Sequence, residues 1–116
     1  MLVRNALFRR VELIARRRWW ELGELDGDQG WGAGEWESAL ADYFTEHAQV
    51  QVGANARGPA LLIIERLPTS WRVRQILDDP EGDHDYSLTA EVDLAASDEA
   101  GEAVITITGA GRTAAW

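Results

Sequence analysis

The chain has 116 residues, 46% hydrophobic and 27% charged, which suits one globular domain and is too apolar for a disordered chain. Cysteine is absent and all eleven basic residues are arginine. That excludes disulfides, thiolate nucleophiles, thiolate zinc sites and iron–sulfur clusters, and equally a lysine-bearing phosphate loop, a Schiff base or a Ser/Lys dyad. No run approaches a membrane span, and residues 1–10 lack the pattern of a signal peptide. A soluble, cytoplasmic protein with no membrane partner is expected.

The formal charge of -9 is unevenly placed: six arginines against Glu12 make the first 18 residues +5, so the remainder carries -14. From Asn5 to Leu22, Leu7, Phe8, Val11, Ile14, Ala15, Trp19 and Leu22 recur at three- and four-residue spacing, which predicts one amphipathic helix capped at Gly23. Arg9, Arg10, Arg16 and Arg17 then lie on the face away from the apolar stripe. The glycines between Gly23 and Gly34 predict a loop. Trp36, Ala39, Leu40, Tyr43, Phe44 and His47 share one face of a second helix, predicted over 35–48.

Beyond Pro59 the period changes from 3.6 to 2. Strands are predicted over 60–65 and 71–77, joined by Pro68-Thr69-Ser70. Leu88, Ala90, Val92 and Leu94 alternate with polar residues, and Ala103, Ile105 and Ile107 do so again after a turn around 98–101. The expected fold is α+β: one domain over 1–116, with a helical part over 1–52 and a sheet part over 59–110. Its two helices would pack on a curved antiparallel sheet of about four strands.

The run Asp78-Asp79-Pro80-Glu81-Gly82-Asp83-His84-Asp85 is the first place to look for a metal. It lacks the spacing of a calcium loop, and two histidines with no cysteine make poor zinc ligands, so it reads as an acidic turn. His84 is flanked by carboxylates that could orient a general base, but pairing within the loop is the simpler reading. His47 is placed to meet the C-terminal carbonyls of the second helix. Arg72 and Arg74 face Glu91 and Asp93 as cross-strand charge pairs. No serine has the setting of an activated nucleophile, and Gly30-Trp31-Gly32-Ala33-Gly34 follows no strand, as a phosphate loop would. No catalytic, cofactor or metal residue is expected.

Several runs carry a resemblance: Arg57-Gly58-Pro59-Ala60-Leu61-Leu62-Ile63-Ile64-Glu65, Trp71-Arg72-Val73-Arg74-Gln75-Ile76-Leu77-Asp78-Asp79-Pro80, Gly82-Asp83-His84-Asp85 and Ala90 to Ala103. With the opening Arg4-Asn5-Ala6-Leu7-Phe8-Arg9-Arg10-Val11-Glu12, they resemble the uncharacterised C-terminal domain of a group of bacterial DEAD/DEAH-box helicases. The resemblance implies an accessory piece, or a stand-alone relative, of a superfamily 2 ATP-dependent helicase. ATP and magnesium would belong to upstream motor domains. By looser analogy the layout is similar to the nuclear-transport-factor-2-like fold, a frequent ligand-pocket and dimerisation module. The functional expectation is therefore a non-catalytic domain for interaction, substrate positioning or homodimerisation. Arg9, Arg10, Arg16 and Arg17 would meet the helicase core, with nucleic acid reached through the parent protein. The alternative is an independent ligand-binding or enzyme-like domain whose pocket, between the second helix and the sheet, is walled by Trp36, Tyr43 and Trp71.

Overall fold

Stereochemistry interrupts the first predicted helix just where arginines crowd together. The computed structural model, which describes residues 3–113, shows α1 over Val3–Ala15 and α2 over Trp19–Asp26. Between them Arg17 is left-handed (φ 54°). The Arg17 N–H donates to the Ile14 carbonyl and the Arg18 N–H to the Leu13 carbonyl, both at 2.9 Å, the paired bonds of a Schellman cap. Gly23 does not end a helix but lies inside α2. A Cβ there would stand 2.8 Å from the Ala33 backbone nitrogen, so glycine lets the start of the next helix press against α2.

The second predicted helix is present in two pieces, α3 (Ala33–Ala39) and α4 (Ala41–Glu46), bent at Leu40 (φ −107°, ψ 8°). Hydrogen bonds from Leu40 to Trp36 and from Phe44 to Leu40, each 3.2 Å, carry the helical ladder through the bend. No helix of the described residues is long and apolar enough to cross a membrane.

The strands are β1 (Leu62–Arg66), β2 (Ser70–Ile76), β3 (Tyr86–Asp93) and β4 (Ile105–Arg112), antiparallel in the order β1-β2-β3-β4. The expected α+β architecture with a four-stranded antiparallel sheet is what the structure shows. Registers Val73–Ala90–Ile107 and Trp71–Val92–Ile105 turn one set of side chains towards the helices, while Arg72–Glu91–Thr106 face outward. Thr89 pairs with Gly109 but Ala90 with Ile107, so a bulge falls at Thr108.

Leu94 was expected to extend the third strand. Instead the Asp93 carboxylate accepts the Ala96 N–H at 2.9 Å and caps a short helix, α5 (Leu94–Ala100), which ends at left-handed Gly101. A local side-chain bond has outcompeted the alternating pattern, so β4 begins at Ile105 rather than near Ala103.

Leu7, Val11 and Ile14 of α1 join Leu22, Trp36, Leu40 and Tyr43 against Val73, Leu88, Val92 and Ile107 in one core. Two polar devices fasten the helical layer. The Gln29 carboxamide donates to the Ile105 carbonyl and accepts the Ile107 N–H, both at 3.0 Å, along the outer edge of β4. Arg10, expected on the solvent face, is buried: its Nε and Nη2 donate to Asp26 at 2.9 and 2.7 Å, and Nη1 donates to the Ala6 carbonyl at 2.7 Å. The partner that draws it inward lies on α2, beyond the helix break.

Candidate functional site

Arg9 and Arg16, seven residues apart on or just beyond α1, are exposed along one helical face. Arg17 is also exposed; its guanidinium sits 4.1 Å from the Phe44 ring centroid and donates to the Ala48 carbonyl at 3.2 Å. Arg18 pairs with Glu21 at 2.7 Å. Beside this turn Trp20 is 71% exposed, the most exposed large hydrophobic side chain described. The helical layer thus presents a basic edge ending in an indole, without Arg10.

Of the three expected pocket walls, two are packed into the core and the third lies at the far end of the sheet from Tyr86. Trp36 and Tyr43 are fully buried; Trp36 stacks obliquely on Trp31 at 4.9 Å and Tyr43 meets Tyr86 edge-on at 5.2 Å. Trp71 lies opposite Val92, six residues along β3 from Tyr86, or roughly 20 Å of strand, and its ring carries the Arg66 guanidinium at 5.0 Å. Hollows lie elsewhere. One of about 400 Å³ runs over the outer sheet face beside Arg72, Arg74, Thr89 and Glu91. Another, of about 880 Å³, lies between residues 51–61 and the acidic turn, lined by Asn55, Pro59, Leu61, Asp79 and His84.

The densest chemistry is at the end of α4. There the chain leaves the helix at extended His47, whose backbone N–H donates to the Tyr43 carbonyl at 2.8 Å. The imidazole does not seek the helix carbonyls, as the sequence suggested, but turns to the acidic segment between β2 and β3. Its Nδ1 lies 2.5 Å from Glu81 Oε1 and 3.6 Å from Asp79 Oδ2. Its Nε2 lies 3.8 Å from Asp85 Oδ1 and 4.0 Å from Asp83 Oδ2. Hydrogen bonding to Glu81 raises the His47 pKa against the opposing effect of burial, with Asp79 and Asp83 adding to the rise.

The acidic turn is shaped around Asp79. Its two carboxylate oxygens accept the backbone N–H groups of Asp83 (2.9 Å) and His84 (2.7 Å). Burial pushes the Asp79 pKa up, but these two bonds and His47 outweigh it and hold the carboxyl below its ordinary value. His84 takes a left-handed conformation (φ 55°), and its exposed ring pairs with Asp78 at 2.9 Å. It is a loop-pairing residue, as the simpler reading of the sequence held.

Tyr43 and Tyr86 form the apolar wall behind His47, with ring centroids 5.0 and 6.2 Å from the imidazole. The Tyr86 hydroxyl donates to Glu46, which also receives Arg112 at 2.7 Å, and the other arm of Arg112 donates to Asp85 Oδ2 at 3.1 Å. Burial, then the bond to Glu46, pushes the Tyr86 hydroxyl up to about 12. His47, Asp79 and Asp85 each bring one ligand atom within 4.8 Å of the others, a set able to hold a metal ion. Reading the acidic segment by itself missed this set, because its nitrogen donor comes from 32 residues before Asp79. The available signal was a histidine closing an amphipathic helix in a chain with a carboxylate-rich turn.

On the outer sheet face Arg72 donates to Glu65 at 2.5 and 2.8 Å, and its strand register sets it opposite Glu91. Asp93, expected to pair across the sheet, caps α5 instead. In comparison with known proteins, residues 1–110 match the family model described as "Domain of unknown function (DUF3516)". No curated protein and no solved structure matches the chain.

Proposed function

This chain belongs to the DUF3516 domain family, and we propose that it serves as a non-catalytic accessory domain of an ATP-dependent nucleic-acid helicase. The proposal draws on the resemblance of its motifs to the C-terminal domain of DEAD/DEAH-box helicases. The observation that carries it is the basic edge: Arg9, Arg16 and Arg17 stand exposed beside exposed Trp20 on a chain of net charge -9. An arginine edge with an adjacent indole has the composition of a docking patch, since both side chains are favoured at interface centres. The acidic remainder opposes broad contact with a polyanion, which favours docking on an acidic protein surface over direct grip of nucleic acid. Filling of the space between α4 and the sheet by Tyr43 and Tyr86 supports docking over the capture of a small ligand there.

The test is association with the motor core of a DEAD/DEAH-box helicase of the resembled group, measured by calorimetry at two salt concentrations. Replacing Arg9, Arg16 and Arg17 together by Gln removes the three charges, keeps helix propensity nearly unchanged at Arg9 and leaves Arg10 in place, and circular dichroism checks that loss of the Arg17 contacts to Phe44 and Ala48 leaves the chain folded. Docking requires that the triple variant lose affinity at least 10-fold and that the loss shrink as salt rises. Equal affinity of variant and wild type would overturn the reading, as would low-salt binding of nucleic acid by the domain that the triple variant abolishes.

A further inference from the structure

We propose that His47, Asp83 and Asp85 form a divalent-cation site, backed by Glu81 and Asp79, that takes a transition-metal ion of the zinc class. The proposal is independent of the docking reading. It starts from two atoms without partners: His47 Nε2 and Asp85 Oδ1 are both buried and neither has a hydrogen bond among the described residues. The His47 side chain is only 3% exposed, so solvent does not satisfy it.

Proton chemistry orients the ring. The Glu81 carboxylate, 2.5 Å from Nδ1, can only accept, so Nδ1 carries a proton and Nε2 is the ligating side. This is the carboxylate–histidine arrangement that fixes the tautomer of metal-binding imidazoles. Asp79, although close enough to His47 and Asp85 to share an ion with them, lies 3.6 Å from that same Nδ1 and so backs the ring, which leaves Asp83 as the third group on the ligating side. Nε2 then looks at Asp85 Oδ1 (3.8 Å) and Asp83 Oδ2 (4.0 Å). Both separations are too long for hydrogen bonds. Both are wider than the roughly 3.3–3.6 Å that separates the ligands of a tetrahedral ion with bonds of about 2.0–2.2 Å, so each carboxylate must close on Nε2 by about half an ångström to share one ion.

The neighbouring groups leave those donors open. Arg112 engages Asp85 through Oδ2 and leaves Oδ1 facing the imidazole. Asp79 is held by the N–H groups of Asp83 and His84, which fixes the turn that presents Asp83. One imidazole and two carboxylates favour a transition dication such as Zn²⁺ over Ca²⁺ or Mg²⁺, which prefer oxygen alone. Three protein ligands leave the fourth position to water. With ligands from the end of α4 and from the β2–β3 connection, the ion would tie the helical layer to the sheet.

The experiment uses the full chain, stripped with a chelator and titrated with Zn²⁺ by calorimetry, with Co²⁺ as an optical probe. One equivalent should bind saturably, raise the melting temperature, and give the absorption of a nitrogen- and oxygen-ligated ion. Asp85→Asn and Asp83→Asn should each weaken binding 10- to 100-fold, whereas His84→Asn, which tolerates the left-handed turn and removes only the exposed ring paired with Asp78, should leave it unchanged. His47→Gln should abolish binding; should that variant fail to fold by circular dichroism, Asp83→Asn and Asp85→Asn decide. Absence of saturable Zn²⁺ binding below about 100 μM overturns the proposal. So does binding that His84→Asn removes, or binding that the double variant Asp83→Asn with Asp85→Asn retains.

Discussion

Removing the carboxylate of Asp26 should be among the most damaging single changes available to this chain. The Arg10 guanidinium would keep its bond to the Ala6 carbonyl but lose two charge-assisted bonds to Asp26, in a pocket where Asp26 is fully buried and Arg10 nearly so. A buried charge stripped of its partner costs about 3–5 kcal/mol, a large fraction of the roughly 5–15 kcal/mol by which domains are stable. For a domain of this size that corresponds to roughly 10–25 °C in melting temperature. Urea unfolding followed by fluorescence of the six tryptophans should show Asp26→Ala with a lowered midpoint and an unchanged slope. The double change Arg10→Met with Asp26→Leu removes both charges, and should recover most of the loss. A cost below about 1 kcal/mol for Asp26→Ala, the range of exposed pairs, would refute the reasoning and return Arg10 to the basic edge.

Two further outcomes follow from close contacts elsewhere. Gly23→Ala should gain up to about 1 kcal/mol of helix propensity but incur about 1–3 kcal/mol of overpacking against the Ala33 nitrogen 2.8 Å away; a raised melting temperature would show that α2 and α3 do not meet there. Both tyrosines of the chain ionise above their ordinary value of 10.0, Tyr43 the further of the two and Tyr86 at about 12. Because the folded pKa of Tyr86 is raised, its contribution to stability is intact below about pH 10 and lost as pH climbs through about 12. Tyrosinate absorbance should therefore stay silent near pH 10 while circular dichroism reports a folded chain, and a quarter of the signal appearing there, the share of one of two tyrosines half-ionised at its ordinary value, would contradict the burial that raises both.

The sheet was legible because burial on one face imposes period 2, and the alternations in β2 and β3 follow it almost residue by residue. The helical layer was legible as apolar stripes but not as segments. The break at Arg17 is a left-handed residue with no glycine to announce it, and the apolar spacing that runs on to Trp19 and Leu22 hides it. α5 was hidden because Leu94 continues the strand pattern, while the bond from Asp93 to Ala96 belongs to the competing helix. Arg10 and His47 were misplaced for one shared reason. Each side chain answers to an oppositely charged group distant in sequence, Asp26 in the first case and the turn carboxylates in the second, and periodicity carries no information about such partners. Arg9, Arg16 and Arg17 do stand exposed, but only Arg9 of the three lies within α1, so the helical period accounts for its exposure alone.

Gln29 bears on how this domain can meet other chains at all. Its carboxamide offers a donor and an acceptor spaced like a peptide group, so on Ile105 and Ile107 it occupies the place that the backbone of an added strand would take. At the opposite margin β1 is only five residues long, ends in Glu65-Arg66, and is followed closely by Pro68. Both margins are thereby blunted against strand addition, the route by which sheets recruit extended peptides or polymerise. Recognition by this domain is consequently left to side chains on its faces, where a few substitutions can alter a partner without exposing the sheet to aggregation.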